Sequence, residues 1–478
     1  MILEIPVVAK NEILFYHTLA RGPIKTMQYT PDDIEIKDAL GKVPVHSKDQ
    51  NRRQRNFLVD RDLSSGELTV EYRAIPWDVT ETDPCGPQIA LERDGRGLTV
   101  AGMYFILTPA LDEIMDISVE WNLSYAPPST RAVCSLGEGK QVFTQAQASV
   151  LEECFFAVGP VHSYPPGETF GKFGTYWLEN PPFEAPALGR RMELLIPKMM
   201  TFFHDPDPTY RIFVRRNIQK CVSGRGLHRG FAFAWTKVVP RDEDELVEFL
   251  IHEIVHNWPR LGFSKDGPTP EELADGWFNE GIAEYYSIIL PYRFGIFSEQ
   301  EFVQRLNIRI SGYYTNPDRG VKNKDVQDLF WKGAHSGSLC SRESGELGAT
   351  AVTEYHAMSE AVPVILPEDY LRITENLDWT LQRQDQEEFY LGFPEECLDA
   401  KPAIVKNLDP ASRAAKAGVR EGDIITPQYS FFFVAERWEQ KFSMSVRRPT
   451  SDTSDEVTAL TWLPRSWEKV ESYQFVQG

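Results

Sequence analysis

The sequence predicts an α+β chain in three parts: a β-rich sandwich or saddle at residues 1–165, a metal-binding domain of helices and strands at 166–395, and a small C-terminal module at 396–478. Three observations predict it. Alternating segments separated by turn clusters fill the first third. Two strand-like stretches then lead into a helix that bears two histidines one turn apart, and a short strand–helix–turn–strand pattern stands near the end. At 478 residues the chain can hold about two to four domains, each with a core of its own.

In the first part, Leu68 to Ala74 and Ile117 to Ser124 alternate apolar and polar residues, as half-buried strands do. Asp94-Gly95-Arg96-Gly97 and Ala126-Pro127-Pro128-Ser129 supply turns. Pro165-Pro166-Gly167 and the proline-rich stretch Asn180 to Pro186 bracket the passage into the second part. There Leu188 to Phe203 reads as a helix, and Tyr210 to Arg216 and Gly230 to Trp235 read as strands. Ser336 to Thr350 shows no periodicity and reads as an unusually long loop.

Asp242 to Glu245 followed by Leu246 to Ile251 reads as a helix with an acidic first turn facing the positive end of its dipole. It runs into His252-Glu253-Ile254-Val255-His256, and Pro259 then stops it. Four residues make about one helical turn, so both imidazoles project from one face and can grip one ion, zinc by the spacing. Glu253 is placed to poise a water as general base, not to ligate. The competing reading is a buried amphipathic helix that happens to carry two histidines.

A catalytic zinc takes three protein ligands and keeps one position open. Glu280 lies 24 residues after His256 (280 minus 256), on what reads as the next helix, which Thr269-Pro270-Glu271-Glu272 opens with a capping-box pattern. Asp275 is a weaker candidate for the same role. Glu284, one turn past Glu280, is placed either to orient a ligating imidazole from the second layer or to lie solvated on the helix.

A formal charge of −20 argues against nucleic acid or an anionic membrane surface as a partner. No run approaches the roughly 18 apolar residues of a membrane span. The start of the chain lacks a secretory leader pattern, and the six cysteines show no CxxC spacing. Both features point to reduced thiols and a cytoplasmic setting.

Asn279-Glu280-Gly281-Ile282-Ala283-Glu284 closely resembles the third-ligand helix of the gluzincin metallopeptidases, and the order helix, strands, histidine helix, glutamate helix resembles a thermolysin-like catalytic domain. Val405 to Ile425 resembles the core of a PDZ domain: a strand, a short helix from Ser412, Gly418 to end it, a turn at Glu421-Gly422 and a second strand. Taken together, these features resemble the glycyl-aminopeptidase family of PDZ-bearing gluzincins. The resemblance implies a zinc-dependent, aminopeptidase-like peptidase of short peptides, with His252, His256 and Glu280 as ligands and Glu253 as base. It also implies a peptide or chain terminus as an occupant of the PDZ-like module, weighed against a purely structural role for that module.

Two departures set this chain apart. The family places a glutamate on the strand before the zinc helix to pair with the substrate's free amine. Here Ser223 to Gly230 contains no acid, while Arg225, His228 and Arg229 suit a carboxylate or a neutral backbone. The family also carries a tyrosine downstream that stabilises the oxyanion. Here the chain runs into the glycine- and serine-rich segment, leaving His335, Tyr355 and His356 as candidate donors. Loss of such a donor costs on the order of 3 kcal/mol in the barrier. The alternative functions are a pseudoenzyme or scaffold that binds peptides without cleaving them, and zinc hydrolysis of a non-peptide substrate.

Overall fold

The computed structural model describes residues 1–81, 83, 86–167, 172–219, 223–236, 243–258, 276–322, 366–400, 402–426, 434, 435, 437–448 and 456–478. They form a mixed α/β, strand-rich fold in two compact units, Met1–Asn257 and Trp258–Gly478. Among the described residues no helix is long and apolar enough to cross a membrane.

The first unit begins with two antiparallel four-stranded sheets. One four-stranded sheet has the order Ile2–Ile5, Gly66–Tyr72, Ile34–Asp38, Gly41–Lys42; another has the order Thr108–Pro109, Ile13–Thr18, Gln54–Val59, Val45–Asn51. Their inward residues, among them Leu3, Ile36 and Val70 from the first and Phe15, Phe57 and Val59 from the second, share one core. The expected strand Leu68 to Ala74 starts two residues earlier, because Gly66 pairs with Ile5. The strand expected over Ile117 to Ser124 is Met115–Glu120, and it ends where its partner Gln141–Ala146 begins. Asp94 and Gly97 face each other across a hairpin turn in which Gly95 takes φ +55°, a conformation that favours glycine.

A five-stranded sheet runs in the order His162–Tyr164, Phe173–Trp177, Tyr210–Arg216, Gly230–Trp235, Ser223–Leu227. Its three inner strands are parallel to one another and its two outer strands antiparallel to them. Tyr210 to Arg215 and Gly230 to Trp235 are buried throughout, so neither alternates apolar and polar residues strictly, and the first buries Arg211 and Arg215 along with its apolar centre. Helix Ala185–Phe202 lies against this sheet and starts three residues before the sequence reading, because a proline is tolerated in the first turn of a helix.

In the second unit, helix Gly276–Arg293 packs on helix Glu299–Tyr314. The last strand, Tyr473–Gln477, pairs with Trp379–Arg383 and is pinned to Glu299–Tyr314 by Asn307: its Nδ2 donates to the Phe475 carbonyl at 2.9 Å and its Oδ1 accepts from the Phe475 amide at 2.7 Å. A three-stranded sheet of Ile424–Thr426, Phe442–Arg448 and Glu456–Trp462 encloses a small core with Leu391, Phe393 and Val405. Ser412 caps the short helix Arg413–Lys416 through the Ala415 amide, and Gly418 and Gly422 take positive φ as their turns require. The first strand expected at Val405 shrinks to a single bridge, Ile404 to Ile424.

Candidate metal centre

Helix Glu243–Val255 carries the histidine motif. Its first turn holds Glu243, Asp244 and Glu245, which complement the dipole. Leu246, Val247, Leu250, Ile251, Ile254 and Val255 form one buried face that seats it. The Phe249 ring meets Phe233 of the sheet at 5.7 Å between centroids.

The helix ends at Val255, one residue before His256, which sits in the following turn. Asn257 holds that turn: its amide donates to the Ile254 carbonyl at 3.0 Å, and its Nδ2 donates to the Tyr210 hydroxyl at 2.9 Å. His252 and His256 are partly buried, with ring centroids 5.1 Å apart and planes at 82°. Glu253 lies between them in sequence and is also partly buried.

Glu280 is exposed on helix Gly276–Arg293. One ligand atom from each of His252, His256 and Glu280 can be chosen so that all three lie within 4.8 Å of one another. Such a set of two imidazole nitrogens and one carboxylate oxygen fits a single divalent transition ion and leaves coordination positions for water and substrate. One turn on, Glu284 receives Arg309 Nη2 at 2.8 Å, so part of its charge is met within its own unit. Asp275, Pro259, the Thr269 to Glu272 capping pattern, Ser336 to Thr350, and the candidate oxyanion donors His335, Tyr355 and His356 lie outside the described residues.

Ser223–Leu227 is the last strand of its sheet, hydrogen-bonded on one side to Gly230–Trp235, and helix Glu243–Val255 packs against it. Ser223 to Gly230 contains no carboxylate, and neither arginine charge there stands alone. Arg225 Nη2 donates to Glu153 Oε2 at 3.0 Å. Arg229, at φ +52°, pairs through Nη1 with Asp205 Oδ2 at 2.5 Å and through Nε with Asp207 Oδ2 at 3.2 Å. The His228 amide donates to the Glu153 carbonyl at 2.8 Å. Glu153 and Arg309 escaped sequence reasoning: Glu153 precedes Arg225 by 72 residues, and no local pattern links them.

Residues 245–335 match the family model of M61 glycyl aminopeptidase. A crystal structure of an aminopeptidase N family protein from Idiomarina loihiensis superposes with a TM-score of 0.54 at 13% identity, covering 98% of this chain and 94% of that one. At that identity the likeness speaks to fold alone. No curated protein matches the sequence.

Proposed function

We propose that this chain, whose assignment to the glycyl-aminopeptidase family the match over residues 245–335 supports, is a zinc metallopeptidase that hydrolyses short peptides. The observation that carries the reading is the convergence of His252, His256 and Glu280 ligand atoms within 4.8 Å, with Glu253 inside the histidine motif. Zinc held there would act as a Lewis acid toward the scissile carbonyl and lower the pKa of an attacking water. Glu253 would serve as the base that takes a proton from the attacking water and as the acid that returns it to the departing amine. Glu284 steadies the ligand helix one turn from Glu280.

Ser223–Leu227 offers its outer backbone edge to an extended substrate, which would add as a further strand. The absence of a carboxylate from Ser223 to Gly230 removes the usual partner of a substrate ammonium, so a free amino terminus is not required. The PDZ-like segment from Val405 to Ile425 would take a peptide or chain terminus as a separate, non-catalytic occupant.

Turnover of a fluorogenic peptide panel with and without a chelator tests the assignment. Cleavage that chelator abolishes and zinc restores is the expected result. Peptide binding without cleavage under any metal supply would leave a scaffold in place of an enzyme.

A further inference from the structure

The strand Ser223–Leu227 is poorly built to stay in place by itself. Among the described residues it is an outer strand, bonded on one side, and two of its five residues are Gly224 and Gly226, which weaken a strand by adding chain entropy and no packing. A substrate backbone that adds to it needs its amides and carbonyls held in register, at the spacing of about 4.8 Å that strand pairing demands.

The support comes from a distant segment of the same unit. Side chains alternate along a strand, so Arg225 points away from the side that carries the two glycines. Its guanidinium is almost enclosed, with the side chain 9% exposed. Nη1 reaches Met103 Sδ at 2.9 Å, and Nη2 donates to Glu153 Oε2 at 3.0 Å. Burial depresses the pKa of Arg225, and the Glu153 carboxylate is the chief group opposing that effect. Glu153 also accepts the His228 amide on its main-chain carbonyl, just past the end of the strand.

Glu153 closes the 3-10 helix Ala148–Glu153, and the preceding residue fastens that helix to the front sheets. The Glu152 carboxylate accepts from Thr108 Oγ1 at 2.7 Å and from Thr18 Oγ1 at 3.1 Å. Leu227, at the strand's end, sits in the core shared with Phe155, Phe156 and Ala157.

We infer that Glu153 is a positioning residue for peptide binding: by holding Arg225 with its side chain and His228 with its backbone, it fixes the outer strand in the register that an extended substrate requires. This rests on the reading of Ser223–Leu227 as the strand that receives substrate. Glu153 touches no reacting atom. Its removal therefore weakens binding of peptides long enough to pair along the strand and spares small amides that do not reach it.

The test uses the full-length chain in a Glu253→Gln background, where bound peptide is not consumed. The hexapeptide Ala-Ala-Phe-Ala-Ala-Lys is titrated by calorimetry, and amide hydrogen exchange is followed over 223–227. Adding Glu153→Gln is expected to raise the Kd about tenfold and to speed exchange in the strand, with metal content unchanged and the cooperative melting transition retained. Glu153→Asp should recover part of the affinity. Should Glu153→Gln fold poorly, Glu153→Gln with Arg225→Met removes the uncompensated buried charge and must show the same rise in Kd. An unchanged Kd in the variants, or a loss of affinity that tracks a lost melting transition, overturns the inference. Failure of the parent chain to bind the hexapeptide at all refutes the proposed function instead, and exchange over 223–227 still decides whether Glu153 holds the strand.

Discussion

Asp94 offers a quantitative test of how this fold carries buried charge. It is 2% exposed and shares its surroundings with the Glu92–Arg215 ion pair, itself buried. Among the described residues, neither Asp94 carboxylate oxygen has a hydrogen-bond partner of good geometry. Burial pushes its pKa up to about 7, with Glu92 and Glu179 adding to the rise, while Arg215 and the Arg216 backbone amide oppose it. The folded state therefore binds this proton more tightly than the unfolded chain, where an aspartate titrates near 3.8.

Because the folded state holds more protons between those values, stability falls as pH rises from about 4 to about 7 and is flat above. At about 1.4 kcal/mol per pH unit, the contribution is on the order of 4 kcal/mol. Asp94→Asn cannot ionise, so the variant should gain roughly that much relative to the parent between pH 4 and pH 8, whatever constant offset the amide brings. Urea unfolding of both proteins at several pH values measures the difference, and titrations elsewhere cancel in it. A stability gap that stays constant across the range would show that Asp94 is ionised in the folded state, and the account of its burial would be wrong.

Three further outcomes follow from the site and its scaffold. Glu253→Gln should keep metal near one per chain while lowering turnover by about 10²–10⁴-fold, because the amide cannot take a proton; metal analysis and peptide kinetics read the two effects separately. An N-acetylated peptide should be cleaved at least as well as its free-amine counterpart, since Ser223 to Gly230 holds no carboxylate and the acids paired with its arginines, Glu153 with Arg225 and Asp205 and Asp207 with Arg229, are already engaged. A preference of tenfold or more for the free amine, about 1.4 kcal/mol, would reveal an anionic anchor. Ser298→Ala, which removes the hydroxyl that accepts the Glu301 amide, should cost about 1 kcal/mol in a thermal melt.

What could be read from the chain was local. The acidic turn and apolar run before His252 outline a helix, because dipole complementarity and a buried face act within a few residues. Tyr210–Arg216 and Gly230–Trp235 fall where their β-branched and aromatic residues place them, since strands covered on both faces need not alternate. Strand ends were less legible: Glu120 closes its strand only because Gln141 begins the partner. The site divides in the same way. His252 and His256 are fixed by one helical turn, whereas Glu280 needed the resemblance of its motif, and Glu153 left no trace because its partner is brought to it by the fold.

Metal stoichiometry decides whether His252, His256 and Glu280 act together as ligands. Zinc should be measured by mass spectrometry after dialysis in the parent chain and in His256→Ala and Glu280→Ala, with folding checked by circular dichroism. One zinc per chain in the parent and well under one in each variant is the expected result, because two ligands hold a four-coordinate ion weakly. A parent that binds no zinc, or a Glu280→Ala chain that retains it fully, contradicts the assignment.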